Sequence, residues 1–472
     1  MDWSPERLAA LSKGLVLIII GGIVFGIFAV YANLYYVAAI VGGVSVALLV
    51  AWKFEATLLV YILVAFVCWG RTPDLATGGS GAGKGVFVSE ILLSFLLMIY
   101  VIRRLLAPSA RHKVACGFTV PIVVYLAFSI WNVAHSYVFW DENVSREYQH
   151  FAVNLIELAL RFLSAGAFLI AAAVPSDRRW LRWMTAAVLV PGIYDLGRAT
   201  GVIPLHLPVF GGALLQLPLY CYTFAVCLDS SARLWQRIVC GFTLALGIFV
   251  VLIKGITWVS GWYALFVSML AVTFLVSKKV FLTLIAILVV ALVVLMPVFQ
   301  DSVVKYSAEE GDYDRFALMS GAIKYAAKFP LGVGIGNYRS YNSFHYGEEW
   351  GTTRYTFAHG TYSQHLAEMG FPGTILFLWI LISGFRWLSK MYHEMKPGES
   401  KRFVLCAAGQ LAGISLAASI GDYIIPAYHN GGLQSFSWTV YSWLIWGLAV
   451  AHVRVSGVTM DISKSMPEGR NL

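Results

Sequence analysis

The sequence predicts an all-α integral membrane protein: a polytopic bundle of about 12–14 transmembrane helices with one long outer loop. Three observations carry this. Hydrophobic residues make up 59% of the 472 and charged residues only 12%, with a mean hydropathy of +0.73. Soluble domains are about half apolar and a quarter charged. Apolar runs near the roughly 18–20 residues that cross a bilayer recur along the whole chain. Basic connections between those runs alternate with connections that hold no such cluster.

Taken in order, spans are expected near 14–31, 35–52, 55–69, 87–106, 116–135, 151–174, 181–199, 209–228, 238–256, 258–276, 280–298, 373–392, 403–424 and 436–453. The first run is followed at once by a second, which does not suit a single removable signal peptide. The basic connections are RRLLAPSARHK (103–113), SDRRWLR (176–182), SSARLWQR (230–237), SKK (277–279) and RWLSKMYHEMKPGESKR (386–402). Short connections rich in Lys and Arg stay in the cytoplasm, so both termini are expected there. The stretch 299–372 is then outside. The chain divides into N-terminal helices (1–298), this outer loop (299–372), C-terminal helices (373–453) and a cytoplasmic tail (454–472). The net charge of +9 consists largely of the cytoplasmic anchors, and no nucleic-acid partner is expected.

Two features carry little chemistry. Cys68, Cys116, Cys221, Cys227, Cys240 and Cys406 fall in or beside apolar runs, without metal-ligand spacing, and are read as small buried hydrophobes. GGSGAGKG (78–85) has the spacing of a phosphate-binding loop up to Lys84, but Gly85 stands where a hydroxyl would hold magnesium. It is read as an outer loop.

The long loop concentrates the polar chemistry. EEGDYDRFALMSGAIKYAAKFP (309–330) opens with cap-type aspartates and ends at Pro330, as a helix does. Phe316, Met319, Ile323 and Ala326 or Ala327 form an apolar stripe with Arg315, Lys324 and Lys328 off it, which predicts a helix lying along the membrane surface. LGVGIGNYRSY (331–341) follows as a glycine-rich turn, then HYGEEWGTTRYTF (345–357), then AHGTYSQHLAEMGFPG (358–373) leading into a late span.

The order Arg315, a helix, FPLGVGIGNY (329–338) and AHGTYSQHLAEMGFPGTILFL (358–378) resembles the O-antigen ligase and polymerase superfamily. Its members show an arginine, a P-x-G-x-G-x-G-N turn and H-N-x-x-L-x-x-x-x-E-x-G-x-x-G before a late transmembrane helix. The matching positions are Arg315, Pro330, Gly332, Gly334, Gly336, Asn337, His359, Glu368, Gly370 and Gly373. The chain departs at Gly360, where Asn or Ser is commoner, and at LIKGITWVSGW (252–262), where many members carry Ser-Arg-Gly and this chain has Lys254-Gly255.

The resemblance implies a glycosyltransferase C-like bundle in the bacterial inner membrane, with 299–372 as a periplasmic catalytic loop. The implied reaction is glycosyl transfer from an undecaprenyl-pyrophosphate-linked glycan. A ligase moves the polysaccharide to a sugar hydroxyl of lipid A–core; a polymerase, the alternative, adds repeat units to another lipid-linked chain. A transporter of lipid-linked glycan is the non-enzyme alternative, and predicts charges paired along several spans in two matching halves.

Transfer needs cations on the leaving pyrophosphate, a base for the acceptor hydroxyl and a lipid-facing groove for the polyprenyl tail. His359 is the candidate base, because an imidazole near its ordinary pKa accepts a proton at neutral pH. The pyrophosphate candidates are Arg315, Lys254, Arg161, Arg354 and Arg339. Arg161 lies inside a span, four residues after Glu157, and an i,i+4 ion pair is its structural reading. Glu368 is read either as a helix anchor or as a group that orients substrate. The Asp-x-Asp form of DYD (312–314), with HYGEE (345–349), offers oxygen and nitrogen ligands for a divalent cation. The same aspartates suit a helix start. No metal or cofactor is expected, because the resemblance implies metal-independent transfer with basic residues in place of the ion. The partners expected are the donor, the acceptor and membrane lipids.

Overall fold

The computed structural model describes residues 54–67, 88–106, 114–146, 150–204, 207, 213–253, 259–290, 293, 312–346, 360–428 and 432–458. The expected spans at 14–31 and 35–52 lie outside these residues.

Long apolar runs become helices because a bilayer offers the backbone no hydrogen-bond partner of its own. Every regular element among the described residues is helical: α1 (Phe54–Val64), α2 (Val88–Leu106), α3 (Thr119–Val138), α4 (His150–Ala173), α5 (Arg178–Ala199), α6 (Ala213–Leu228), α7 (Leu234–Ile253), α8 (Val259–Val276), α9 (Asp312–Lys328), α10 (Tyr338–Tyr346), α11 (Thr361–Glu394), α12 (Glu399–Ala417) and α13 (Phe436–Val455). Residues 278–290 are helical as well. Four of these helices are long and apolar enough to cross a membrane by length and composition: α3, α4, α11 and the 234–251 part of α7. The chain is an all-α polytopic membrane protein.

Lipid does not drive helices together as water does, so the bundle is held by close packing and a few internal hydrogen bonds. α13 lies at its centre, with Trp443 and Trp446 fully buried. α4 packs along it, and Gly447 makes the approach possible: a Cβ there would stand 2.3 Å from the Phe168 carbonyl oxygen. Gln410 on α12 accepts from Trp446 Nε1 at 2.7 Å and donates to Ser442 at 2.8 Å. α8 packs on α12, α11 on both α3 and α12, and α2 on α4. The outward faces remain apolar, as Val138, Leu234 and Phe242 illustrate.

Charged residues of several connections meet at one end. Arg182 pairs with Glu399 at 2.9 Å, Arg402 with Asp229 at 3.0 Å, and Arg454 donates to the Pro175 carbonyl at 2.6 Å. Pro175 follows the C-terminus of α4; the polar turn described below sits at that helix's N-terminal end.

Two expectations are refined. Helix α11 already starts at Thr361, but it is interrupted at Gly370, and its second part coincides with the span expected at 373–392. The stripe expected on α9 is split: Ile323 is 60% exposed, while Ala326 is buried together with Ala322 and Tyr325. Small residues let α9 approach α11 closely, and Tyr325 packs with Tyr338 and Tyr341 of α10.

Candidate functional site

The glycine-rich turn is the centre of the arrangement. Gly332, Gly334 and Gly336 all have positive φ, at 83°, 98° and 78°, a region that glycine enters without penalty. They fold 330–337 into a compact turn that docks into a break in α11. The break is at Gly370, whose φ of 65° and ψ of −164° are not helical. It leaves carbonyls of the preceding helical turn without helical partners, and 330–337 supplies them. Val333 N–H donates to the Ala367 carbonyl at 3.0 Å and Gly334 N–H to the Glu368 carbonyl at 2.8 Å, while Phe371 N–H donates to the Pro330 carbonyl at 3.0 Å. The contact is backbone on backbone. A Cβ at Gly332 would lie 2.2 Å from the Glu368 oxygen, and one at Gly370 would lie 2.1 Å from the Pro330 oxygen.

Side chains from two other helices lock the turn. Asn132 of α3 donates to the Leu331 carbonyl at 3.1 Å and accepts from Ile335 N–H at 2.9 Å. Asn154 of α4 donates to the Ile335 carbonyl at 2.7 Å and to Asn337 Oδ1 at 3.1 Å. Asn337 closes the turn on itself by donating to the Val333 carbonyl at 3.1 Å. All three asparagines are buried. Buried backbone polar groups need hydrogen-bond partners, and these amides supply them.

Beneath the turn lies a buried ionic network. Arg161 of α4 pairs with Glu157 at 3.0 Å and with Glu368 of α11 at 3.6 Å. Glu157 also accepts from Tyr428 N–H at 2.6 Å, and Glu368 accepts from Gln364 Nε2 at 2.6 Å. Arg161 Nε donates to Tyr125 Oη at 3.3 Å, and Tyr125 Oη lies 2.6 Å from His365 Nε2. His365 Nδ1 lies 2.7 Å from the Thr361 carbonyl, which can only accept. Nδ1 therefore carries a proton, and in the neutral ring Nε2 accepts from the Tyr125 hydroxyl. Arg161, Tyr125 and His365 donate one to the next in a directed chain that ends on the Thr361 carbonyl. The network ties α3, α4, α11 and the segment before α13 to one point.

The start of α11 is pinned separately. Thr361 N–H donates to the Ala418 carbonyl at 2.9 Å, and Thr361 Oγ1 to the Gly421 carbonyl at 3.1 Å. Gly360, next to His359, would place a Cβ 2.9 Å from the Ser419 carbonyl oxygen. Above the turn sits a small aromatic core of Trp140, Tyr325, Phe329, Tyr338 and Tyr341. Tyr325 Oη donates to the Tyr341 carbonyl at 2.8 Å. Burial pushes the Tyr341 phenol above its ordinary pKa.

Of the residues expected to act, His359, Lys254 and Arg354 lie outside the described residues. Arg315 sits on α9 in its first turn, and its side chain is outside the description, as are those of Asp312 and Asp314. Arg339 is half-buried on α10. Arg161 is buried with its donors engaged by two carboxylates and a phenol, including the i,i+4 pair with Glu157 that the spacing suggested. Glu368 anchors the helix to that arginine. Asn132, Asn154, Tyr125, His365 and Tyr428 were not found from sequence. Cys116, Cys221 and Cys406 are buried and free. Among the described residues, no group of three or more His, Cys, Asp or Glu is placed to hold a metal.

Residues 241–378 match the protein family described as O-Antigen ligase. That segment holds Lys254, Arg315, the glycine turn, His359, Glu368 and the break at Gly370, but not α3 or α4. No curated protein matches the chain.

Proposed function

With residues 241–378 carrying the O-antigen ligase family segment, we propose that the chain is an O-antigen ligase of the bacterial inner membrane. It transfers polysaccharide from undecaprenyl pyrophosphate to a sugar hydroxyl of lipid A–core at the periplasmic face, without a metal. The observation that carries this reading is the docking of the glycine turn into the break of α11. It fixes, through one short segment, the helix that carries Arg315 and the helix that begins two residues after His359.

In this reading the chemistry is divided between two rigid arms. α9 presents Arg315 to the leaving pyrophosphate, where a planar guanidinium grips two oxygens at once. Lys254, Arg339 and Arg354 add positive charge. The acceptor hydroxyl meets His359, which takes its proton as the new glycosidic bond forms and the bond to pyrophosphate breaks. The proton goes to the imidazole and the electron pair to the pyrophosphate oxygen. Arg161 stands apart from the other arginines. Its donors are already committed to Glu157, Glu368 and Tyr125, so its role is to hold the arms in register. A misplacement of about 1 Å can cost on the order of a hundredfold in rate, which gives such a support catalytic weight.

A polymerase would use the same donor and the same loop. A deletion strain separates the two. Unmodified core together with accumulated long lipid-linked polymer identifies the ligase; core bearing a single repeat unit identifies the polymerase.

A further inference from the structure

At the end of the bundle away from the glycine turn, Arg182 is neutralised by Glu399 and Arg402 by Asp229. One corner of that end is built differently. α2 runs alongside α4 in the same direction, with Leu97 against Gly166, so its last turn, which carries Arg103 and Arg104, comes out near Pro175 and the end of α13. α1 begins at the same corner: Phe54 stacks on Tyr100, with ring centroids 6.5 Å apart. Each ring of this pair carries a guanidinium over its face. Arg103 stands over Phe54 at 5.4 Å from the centroid. Arg104 stands over Tyr100 at 5.1 Å, and its Nε donates to the Tyr100 hydroxyl at 2.9 Å. An aromatic face holds a cation in place without neutralising it. The third guanidinium is that of Arg454 on α13. It is half-buried, donates to the Pro175 carbonyl at 2.6 Å, and is close enough for the charge of Arg104 to act on it. Its Nε has no hydrogen-bond partner. Among the described residues, neither Arg103 nor Arg454 has a carboxylate partner, and Glu55 in the first turn of α1 pairs with neither.

We infer that this corner, formed by the ends of α1, α2 and α13, binds the phosphate of an anionic phospholipid in the leaflet on that side. The site lies at the opposite end of the bundle from the turn and does not depend on the ligase reading. Three like charges held together repel one another, and an anion shared between them turns that repulsion into attraction. Guanidinium groups suit phosphate in particular, because the planar fork grips two oxygens at once. Basic pockets between helices at a membrane surface take such headgroups. The surroundings argue for a lipid and against a free anion: Val101, Ile102 and Leu105, beside the two arginines on α2, are exposed and apolar, so acyl chains can lie along the helix that holds the headgroup. The charge argues for a headgroup with net negative charge. Phosphatidylglycerol supplies one, whereas the ammonium of phosphatidylethanolamine would add a further cation to the arginines.

The test uses the full-length protein in detergent, with phosphatidylglycerol and phosphatidylethanolamine of the same acyl chains as probes in native mass spectrometry. Wild type retains phosphatidylglycerol in preference. The double variant Arg103→Gln, Arg104→Gln retains it about thirtyfold less, the effect of two arginines removed from a lipid phosphate, and holds phosphatidylethanolamine as wild type does. Arg103 is exposed, so Arg103→Gln alone leaves the fold untouched and carries the test, with a loss of about fivefold, if the double variant fails to fold. Arg182→Gln is the control: it removes an exposed charge from the same end, but one that Glu399 already neutralises, and it retains phosphatidylglycerol like wild type. A wild type that holds the two lipids alike overturns the inference, as does undiminished retention in the Arg103 and Arg104 variants. An equal loss in Arg182→Gln also overturns it, because net charge and not this corner would then set the binding. Excess inorganic phosphate separates the two sources of the anion: it should leave the bound lipid in place, and displacement by it overturns the lipid assignment.

Discussion

Substituting Gly370 by alanine tests the docking of turn and helix most sharply. Its backbone, at φ 65° and ψ −164°, lies in a region that side-chain-bearing residues essentially avoid, at a cost of about 1–3 kcal/mol. The new Cβ would also stand 2.1 Å from the Pro330 oxygen and 2.6 Å from the Gly332 nitrogen, so the turn must move out. Three backbone hydrogen bonds then go, Val333 to Ala367, Gly334 to Glu368 and Phe371 to Pro330, at about 0.5–1.5 kcal/mol each. Together the loss is roughly 2.5–7.5 kcal/mol. Gly201 provides the control. It has a φ of 78°, and a Cβ there meets nothing within 4 Å, so Gly201→Ala should cost only about 1–2 kcal/mol of backbone strain. The assay is thermal unfolding of each purified variant in detergent, followed by tryptophan fluorescence, with transfer measured on the same preparations. Gly370→Ala should unfold well below Gly201→Ala and transfer almost nothing. Equal unfolding temperatures for the two variants would refute the argument that the turn is clamped in the break of α11.

Four further outcomes are expected. His359→Ala abolishes transfer at normal membrane levels, because the acceptor hydroxyl then has no base; wild-type product yields would remove it from the mechanism. Arg315→Ala loses about 30- to 1000-fold in rate at saturating donor, or about 2–4 kcal/mol of transition-state stabilisation, and Arg315→Lys recovers only part of it; unchanged rates would leave Arg315 a surface charge. Transfer survives excess EDTA, and activity that disappears with chelator and returns with magnesium or manganese would promote Asp312 and Asp314 to metal ligands. Arg161→Ala destabilises the protein by about 3–5 kcal/mol, because Glu157 and Glu368 stay buried without their cation, whereas replacing all three by Met and Gln restores most of the loss; thermal unfolding of the two variants decides between them.

Much of the bundle was legible because the signal was local. The apolar runs at 87–106, 151–174 and 436–453 reappear within two residues as α2, α4 and α13. The glycine turn announced itself through residue types that only a tight, close-approaching backbone requires. What the turn docks against was not legible. Asn132 and Asn154 lie about 180–200 residues from their partners in the turn, and a buried asparagine carries no local mark. His365 stood in plain view beside His359, yet only the distance to Tyr125 reveals its partner. The split of the α9 stripe has a physical cause. In water apolar residues mark the core, but in a bilayer they also mark the lipid. Ile323 follows the second rule, and the small residues Ala322 and Ala326 mark the packed face.

Reconstitution tests glycosyl transfer at this site without any other component of the cell. Purified protein is mixed in detergent with undecaprenyl-pyrophosphate-linked polysaccharide and lipid A–core, with no ion gradient and no nucleotide, and the products are resolved by mass. Core bearing long polysaccharide should appear together with free undecaprenyl pyrophosphate, and both should be lost with His359→Ala. Donor and acceptor recovered unchanged from wild type, in preparations that unfold cooperatively and bind the donor, would contradict it.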